Sequence, residues 1–357
     1  MRVLLAVGLS LALAALTACA PESDDEEVAD GSDALAAFAV EGLAPITPPE
    51  ARVSTSAIAA TFGQAIASGR TLLVTRRLTV QGIDARFVVD AASYETSVVP
   101  TAALEAKSRP AQSGDRVGET PFAKSLATLA ASHEALSHVS SDAPNLGAAE
   151  PFALTIDMCQ SKKLWEERLF DWAVNLSSVR SKPTPVGIAM TGVWAKAHPD
   201  ELGRLLEWEH ENKLAITWIN HSSTHPLHCL DQSCRNAEFL TASSVDFEEE
   251  VLGLERVLLG RGIVPSTIFR FPGLIHDEER LAQLSKLSVM PLDADAWIAK
   301  GQPIKPRAVV LVHGNGNEPE GIRGFLDAVA KPSRAQALRS GQSTLVPPIF
   351  VAPIPPL

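Results

Sequence analysis

Positive charge, cysteine and long apolar runs are all scarce in this chain. Lys and Arg number 31 against 42 Asp and Glu, a net charge of −11. A nucleic-acid partner needs a basic face, so that class is excluded. Beyond the first twenty residues no apolar run reaches membrane-spanning length, which excludes a membrane-spanning helix there. There is no Gly-x-Ser-x-Gly elbow, so Ser222 and Ser223, although close to histidines, make a poor case for a serine esterase. The run Gly314-Asn315-Gly316-Asn317 lacks the Lys-Ser/Thr of a phosphate-binding loop and reads as a turn after a strand. What the chain has is apolar mass. With 46% hydrophobic residues among 357, it can bury one large domain and a small one.

The N-terminus reads as a targeting segment. Met1-Arg2 gives a positive start and Val3 to Leu16 an apolar core too short to span a bilayer stably. Leu16-Thr17-Ala18-Cys19 resembles a bacterial lipobox. The resemblance implies a signal peptide over 1–18, cleavage before Cys19, lipidation of Cys19, and a cell-envelope protein on the periplasmic or outer-membrane face. The alternative is an ordinary secretory signal cleaved near Ala20. Setting Cys19 apart leaves Cys159, Cys229 and Cys234, an odd number, so at least one is a free thiol or an intermolecular link. Cys229 can close a small loop with Cys234, or Cys159 can reach Cys229 in space; the sequence leaves both open.

Residues 19–50 begin with an acidic cluster, Glu22 to Asp30, and end at Pro48-Pro49, the composition of a linker. Residues 51–145 read as a small α+β extension. Ser54 to Ser68 suggests a short helix stopped by Gly69, Thr71 to Asp90 a hairpin around Gln81-Gly82, and Phe122 to His138 a second helix carrying surface histidines. From 150 to 330 strand-like and helix-like segments alternate, which predicts a parallel sheet with crossover helices. Residues 331–357 are Pro-rich towards the end and read as an extended tail. Apolar runs in the alternating region end at Asp157, at His221, at Arg270, at Asp293 and at His313. In a β/α barrel, functional groups gather at such strand ends.

The stretch His221-Ser222-Ser223-Thr224-His225 puts two imidazoles at i and i+4 directly after the run Leu214 to Ile219, and a histidine pair on a short turn can grip a divalent ion. It matches in full the His-Ser/Thr-x-x-His motif of the polysaccharide deacetylases, the carbohydrate esterase family with the NodB homology domain. Arg270-Phe271-Pro272-Gly273 and Leu311-Val312-His313 match two further motifs of that family. Thr155-Ile156-Asp157-Met158-Cys159 resembles its first motif, Thr-Phe-Asp-Asp-Gly, and Asp293-Ala294-Asp295-Ala296-Trp297 is similar to its fourth. The resemblance covers about 150–330. It implies a distorted β/α barrel with fewer than eight strands, a divalent metal with zinc the expected ion, and an N-acetylated glycan as substrate, the membrane being met only through the anchor.

The chemistry follows from the residue types. Hydrolysis of an amide needs an activated water, a stabilised oxyanion and a protonated leaving amine. By resemblance, Asp157 is the base, His221 and His225 hold the metal, Arg270 orients Asp157, His313 is the acid, Asp293 or Asp295 supports His313, and Trp297 lines the acetyl pocket. One position departs from the pattern. The family's metal-binding carboxylate falls at Met158, whose thioether suits a hard or borderline ion poorly. Asp157 can itself bind the metal, the enzyme can work with weak or no metal, or the site can be degenerate and bind glycan only. A NodB-like amidohydrolase acting on a small non-sugar amide is the remaining alternative.

Overall fold

The computed structural model describes residues 58–132, 135–139, 150–232 and 237–351. The expected signal peptide, Cys19, the acidic linker, His133 and Cys234 lie outside the described residues.

The chain opens with an antiparallel sheet: β1 (Ala59–Ala67), β2 (Arg70–Val80), β3 (Ile83–Asp90), β4 (Thr96–Pro100) and, after helix α1 (Thr101–Lys107), β5 (Ser108–Pro110), in the spatial order β4-β3-β2-β1-β5. Two tight turns build it. Gln81 and Gly82 take φ of 50° and 80°, the left-handed pair that a two-residue hairpin demands. Ser68 and Gly69, at 48° and 76°, do the same between β1 and β2. The helix expected over Ser54 to Ser68 is therefore a strand in its described part. Its alanines favour helix, but the Ser-Gly turn and the ladder to β2 override that local preference. The second expected helix is shorter than its pattern: α2 spans Pro121–Ser132, and His138, exposed, lies in the extended piece beyond it.

Seven parallel strands form the second part. These are β6 (Glu150–Met158), β7 (Thr184–Met190), β8 (Leu214–Asn220), β11 (Ile268–Phe269), β12 (Met290–Pro291), β13 (Ala296–Trp297) and β14 (Val309–His313), in the order β12-β11-β8-β7-β6-β14-β13. A small ribbon of β9 (His228–Cys229) and β10 (Ala237–Glu238) stands apart. The crossovers carry α3 (Glu167–Arg180), α4 (Gly192–Ala197), α5 (Pro199–His210), α6 (Phe247–Leu259) and α7 (Glu278–Lys286). This is the expected α/β architecture, a β/α barrel of fewer than eight strands. Pro199 opens α5 and Asp246 caps α6 through the Glu249 amide.

Each strand divides its residues between two cores with period two. On β6, Phe152, Leu154, Ile156 and Met158 pack outward with Phe170 and Leu169 of α3. Ala153 faces inward, joined by Ala189, Ile219 and Val309 from neighbouring strands and by Leu73, Phe87 and Phe122 of the N-terminal region. The extension thus packs on the barrel interior. Residues 135–139 complete the join: Leu136 bridges Leu292 beside β12, and His138 bridges Ala308 beside β14. One short segment thus links the edge strand β12 to the entry of β14.

Part of the expected extended tail beyond 330 is regular structure. After α8 (Pro319–Ala330), α9 (Pro332–Ser340) leads to β15 (Ser343–Leu345), which pairs in parallel with the start of β6. Leu345 and Val346 are buried. Proline richness hid a strand that sits just before the prolines.

One buried tie between the extension and the barrel helices is ionic. A bulge between Val74 and Arg76 re-aims β2. Arg76 then reaches Glu255 of α6 through two hydrogen bonds of 2.7 and 2.8 Å and the Leu287 carbonyl at 2.7 Å. Removing one partner of such a pair strands a buried charge, whereas removing both need not. Arg76→Met should therefore cost about 3–5 kcal/mol in denaturant unfolding, and Arg76→Met with Glu255→Leu should recover most of that loss.

Candidate functional site

The strand ends converge on one open cleft of about 240 Å³, lined among others by Asp157, Cys159, His221, His225, Phe239, Trp297, His313 and Glu318. Of the residues singled out in the sequence, Asp157, His221, His225, Trp297 and His313 line it, and Arg270 stands directly behind it.

Arg270 is fully buried at the end of β11. Its Nη1 donates to Asp157 Oδ1 at 3.1 Å, Nη2 to Thr155 Oγ1 at 3.0 Å, and Nε to the Leu292 carbonyl at 2.9 Å. A buried carboxylate gripped in this way is held in one orientation. The backbone of Arg270 contributes as well. Its carbonyl accepts a hydrogen bond of 2.7 Å from His221 Nδ1. That fixes the tautomer and leaves Nε2 as a lone-pair donor, 3.8 Å from Asp157 Oδ2 and 3.4 Å from Cys159 Sγ.

The turn that carries the two histidines is tightly built. Ser222 and His225 take left-handed φ of 72° and 51°, the strained backbone that functional turns often store. Ser222 Oγ accepts from the His225 amide at 3.0 Å, and Glu250 of α6 accepts from both the amide and hydroxyl of Thr224. Gly192 and Gly253 flank Ser223 so closely that a Cβ on either would stand 2.8 or 2.9 Å from its atoms. Burial pulls both imidazoles down to about 3, so each is a neutral donor.

Met158, at the position of the expected metal carboxylate, packs on the helix side of β6. Its sulfur would lie 2.7 Å from a Cβ at Gly314, so it cannot serve the cleft. Cys159, the next residue, does face it. Cys159, His221 and His225 each offer a ligand atom, all within 4.8 Å of one another, and the buried Nδ1 of His225 has no partner among the described residues. One sulfur and two nitrogens are a donor set that suits a divalent transition ion, so the residues present fit the implied metal. Cys159 is a free thiol, raised by burial and lowered in part by His313. Cys229 is engaged in a disulfide, so the pairing of Cys159 with Cys229 does not occur.

The support for His313 differs from the expectation. Its Nδ1 lies 2.7 Å from Glu318 Oε2, and the same oxygen accepts from Trp297 Nε1 at 2.9 Å. Asp295 instead accepts from the Val309 amide at 2.9 Å, and Asp293 lies 3.3 Å from His276 Nε2. The reason is register. Ala296 pairs with Val310, which puts Asp295 beside Val309, four residues or roughly 13 Å down β14 from His313. Cys159 and Glu318 were the residues missed. Each lay a few positions past a recognised strand end, at an exit loop and beside the Pro319 that opens α8.

No protein-family model matches the chain. In fold it is similar to family 4 carbohydrate esterases. One from Bacillus anthracis shares 15% identity over 62% of this chain and 88% of that one, with a TM-score of 0.42. Bacillus subtilis PdaA, also described as a family 4 carbohydrate esterase, gives 15%, 62%, 85% and 0.42. A mutant of a Bacillus anthracis pseudoenzyme of the same family, with restored enzymatic activity, gives 16%, 57%, 66% and 0.38; the chain spans just under two thirds of its length.

Burial alone would lower the pKa of His313, but Cys159, Glu318 and the Asp157 charge outweigh it and hold the imidazole well above its ordinary value. Glu318→Gln removes one of those contributions. The His313 pKa, followed by NMR titration of the ring protons, should fall towards its ordinary value.

Proposed function

We propose that the chain is a divergent polysaccharide deacetylase of NodB type, a metal-assisted hydrolase that removes N-acetyl groups from an envelope or wall polysaccharide. The observation that carries the reading is the Asp157–Arg270 pair, set beside the Cys159–His221–His225 donors and in register with His313 on the neighbouring strand. These are the parts that amide hydrolysis needs.

When bound by the Cys159, His221 and His225 donors, a divalent ion supplies Lewis acidity and makes water more acidic. Asp157, oriented by Arg270, takes the proton of the attacking water through Oδ2, the oxygen that Arg270 leaves free. His313 carries the proton that the leaving amine needs, and Glu318 turns the ring so that its other nitrogen is available to the cleft. The indole of Trp297 is tethered through Nε1 to Glu318 and its ring centroid lies 5.7 Å from that of His313, which makes it, with Leu311, the wall for an acetyl methyl group. In this reading Cys19 anchors the protein to the envelope, where the glycan is.

Purified protein should release acetate from peptidoglycan fragments or chitin oligomers, and Asp157→Asn should reduce the rate at least about 100-fold. Absence of release from every glycan offered to the folded protein overturns the enzyme reading. Glycan binding that Asp157→Asn leaves unchanged would mark a silent binder instead.

A further inference from the structure

The motifs place a carboxylate at the third metal position, and this chain has none there. We propose that Cys159 takes over that role. Its thiolate and the imidazoles of His221 and His225 form a site for zinc or cobalt(II) rather than magnesium, calcium or manganese, with Asp157 outside the ligand set and Asn315 positioning Cys159. The inference rests on the metal-assisted reading of the cleft and names its ligands.

Distance comes first. Ligands at 2.0–2.3 Å around a tetrahedral ion stand roughly 3.3–3.8 Å apart, and Cys159 Sγ already stands 3.4 Å from His221 Nε2. The group of mutually close donors is Cys159, His221 and His225, without Asp157. One oxygen of Asp157 is committed to Arg270 at 3.1 Å, which suits a base better than a ligand. Thiolate is a soft donor that favours zinc and cobalt over ions bound through oxygen. The thiol proton leaves as the ion binds.

Preorganisation comes second. Cys159 lies past the end of β6, on backbone that no ladder holds. The loop after β14 holds it instead. Asn315, fully buried, donates from Nδ2 to the Cys159 carbonyl at 2.9 Å and accepts from the Asn317 amide at 3.2 Å. Asn317 in turn donates to the Gln160 carbonyl at 3.3 Å, and Gln160 donates to the His225 carbonyl at 3.2 Å. The chain of bonds runs from the loop after β14 through Cys159 and Gln160 to the turn bearing His225, so the Cys159 backbone is tied to that turn. Partners of this kind, behind a ligand, commonly tune affinity by 10- to 100-fold.

The test uses the full chain, stripped of metal by a chelator and titrated with cobalt(II), then with zinc in competition with manganese and magnesium. Expected are one bound equivalent, a thiolate-to-cobalt charge-transfer band in the near ultraviolet, and zinc displacing cobalt while magnesium does not. Cys159→Ser should abolish the band and weaken zinc about 100-fold or more, and Asn315→Ala should keep the band and weaken zinc about 10-fold. Circular dichroism checks that each variant is folded, and the wild-type band decides the matter even where a variant is not. Cobalt binding without the band, or Cys159→Ser binding zinc as wild type does, overturns the thiolate site and leaves the deacetylase reading standing. Failure of the folded wild type to bind either ion overturns the site as well, while acetate release judges the enzyme reading separately.

Discussion

One guanidinium organises the interior of this barrel. Arg270 has no solvent to turn to, so every donor it carries must find an acceptor within the wall. It finds the Asp157 carboxylate and the Thr155 hydroxyl on β6 and the carbonyls of Leu292 and Asp293 just past β12. Its own carbonyl takes the His221 N–H. The orientation of the Asp157 carboxylate, the tautomer of one cleft-facing imidazole and the spacing of three strands are thus consequences of a single buried cation being satisfied. The cluster is exacting because it is polar and dry: a displacement of any member leaves a charge or a donor without a partner.

This interdependence explains which parts of the site could be read from residues. Asp157, His221, Arg270 and His313 each terminate a run of apolar residues, because parallel strands covered on both faces are continuous in hydrophobicity. The change to polarity marks the exit. Cys159 and Glu318 carry no such mark, since they sit in loops whose geometry is set by partners distant in the chain. Asp295 was misplaced for the complementary reason. β13 is two residues long, too short for a pattern to fix its register, and a shift along β14 decides whether a carboxylate reaches His313 or a backbone amide. Met158 illustrates alternation: one residue past an inward-facing position lies the outward face, where an apolar side chain belongs.

The fold was legible where repeats of strand and helix were long, and illegible where turn chemistry overruled composition. The alanine-rich stretch before Gly69 has the residues of a helix but the two-residue turn of a hairpin, and the turn prevails because it brings a ladder of backbone hydrogen bonds with it. Near the C-terminus the prolines obscured Ser343–Leu345, whose pairing with β6 depends on where β6 begins rather than on any property of those residues alone.

The link between β12 and β14 has a consequence for what counts as one domain here. Leu136 donates its N–H to Pro291 and accepts from the Asp293 amide, while Val139 bonds through its amide and its carbonyl to Arg307. The piece that links β12 to the entry of β14 therefore belongs to the region before the barrel, and the amide it holds belongs to the residue whose carbonyl receives Arg270 Nη2. Cutting the chain at a boundary near residue 150 would not liberate an autonomous barrel; it would unzip the wall beside the cleft. Inheritance, transplantation or circular rearrangement of this architecture must carry both halves together, because neither contains a complete perimeter.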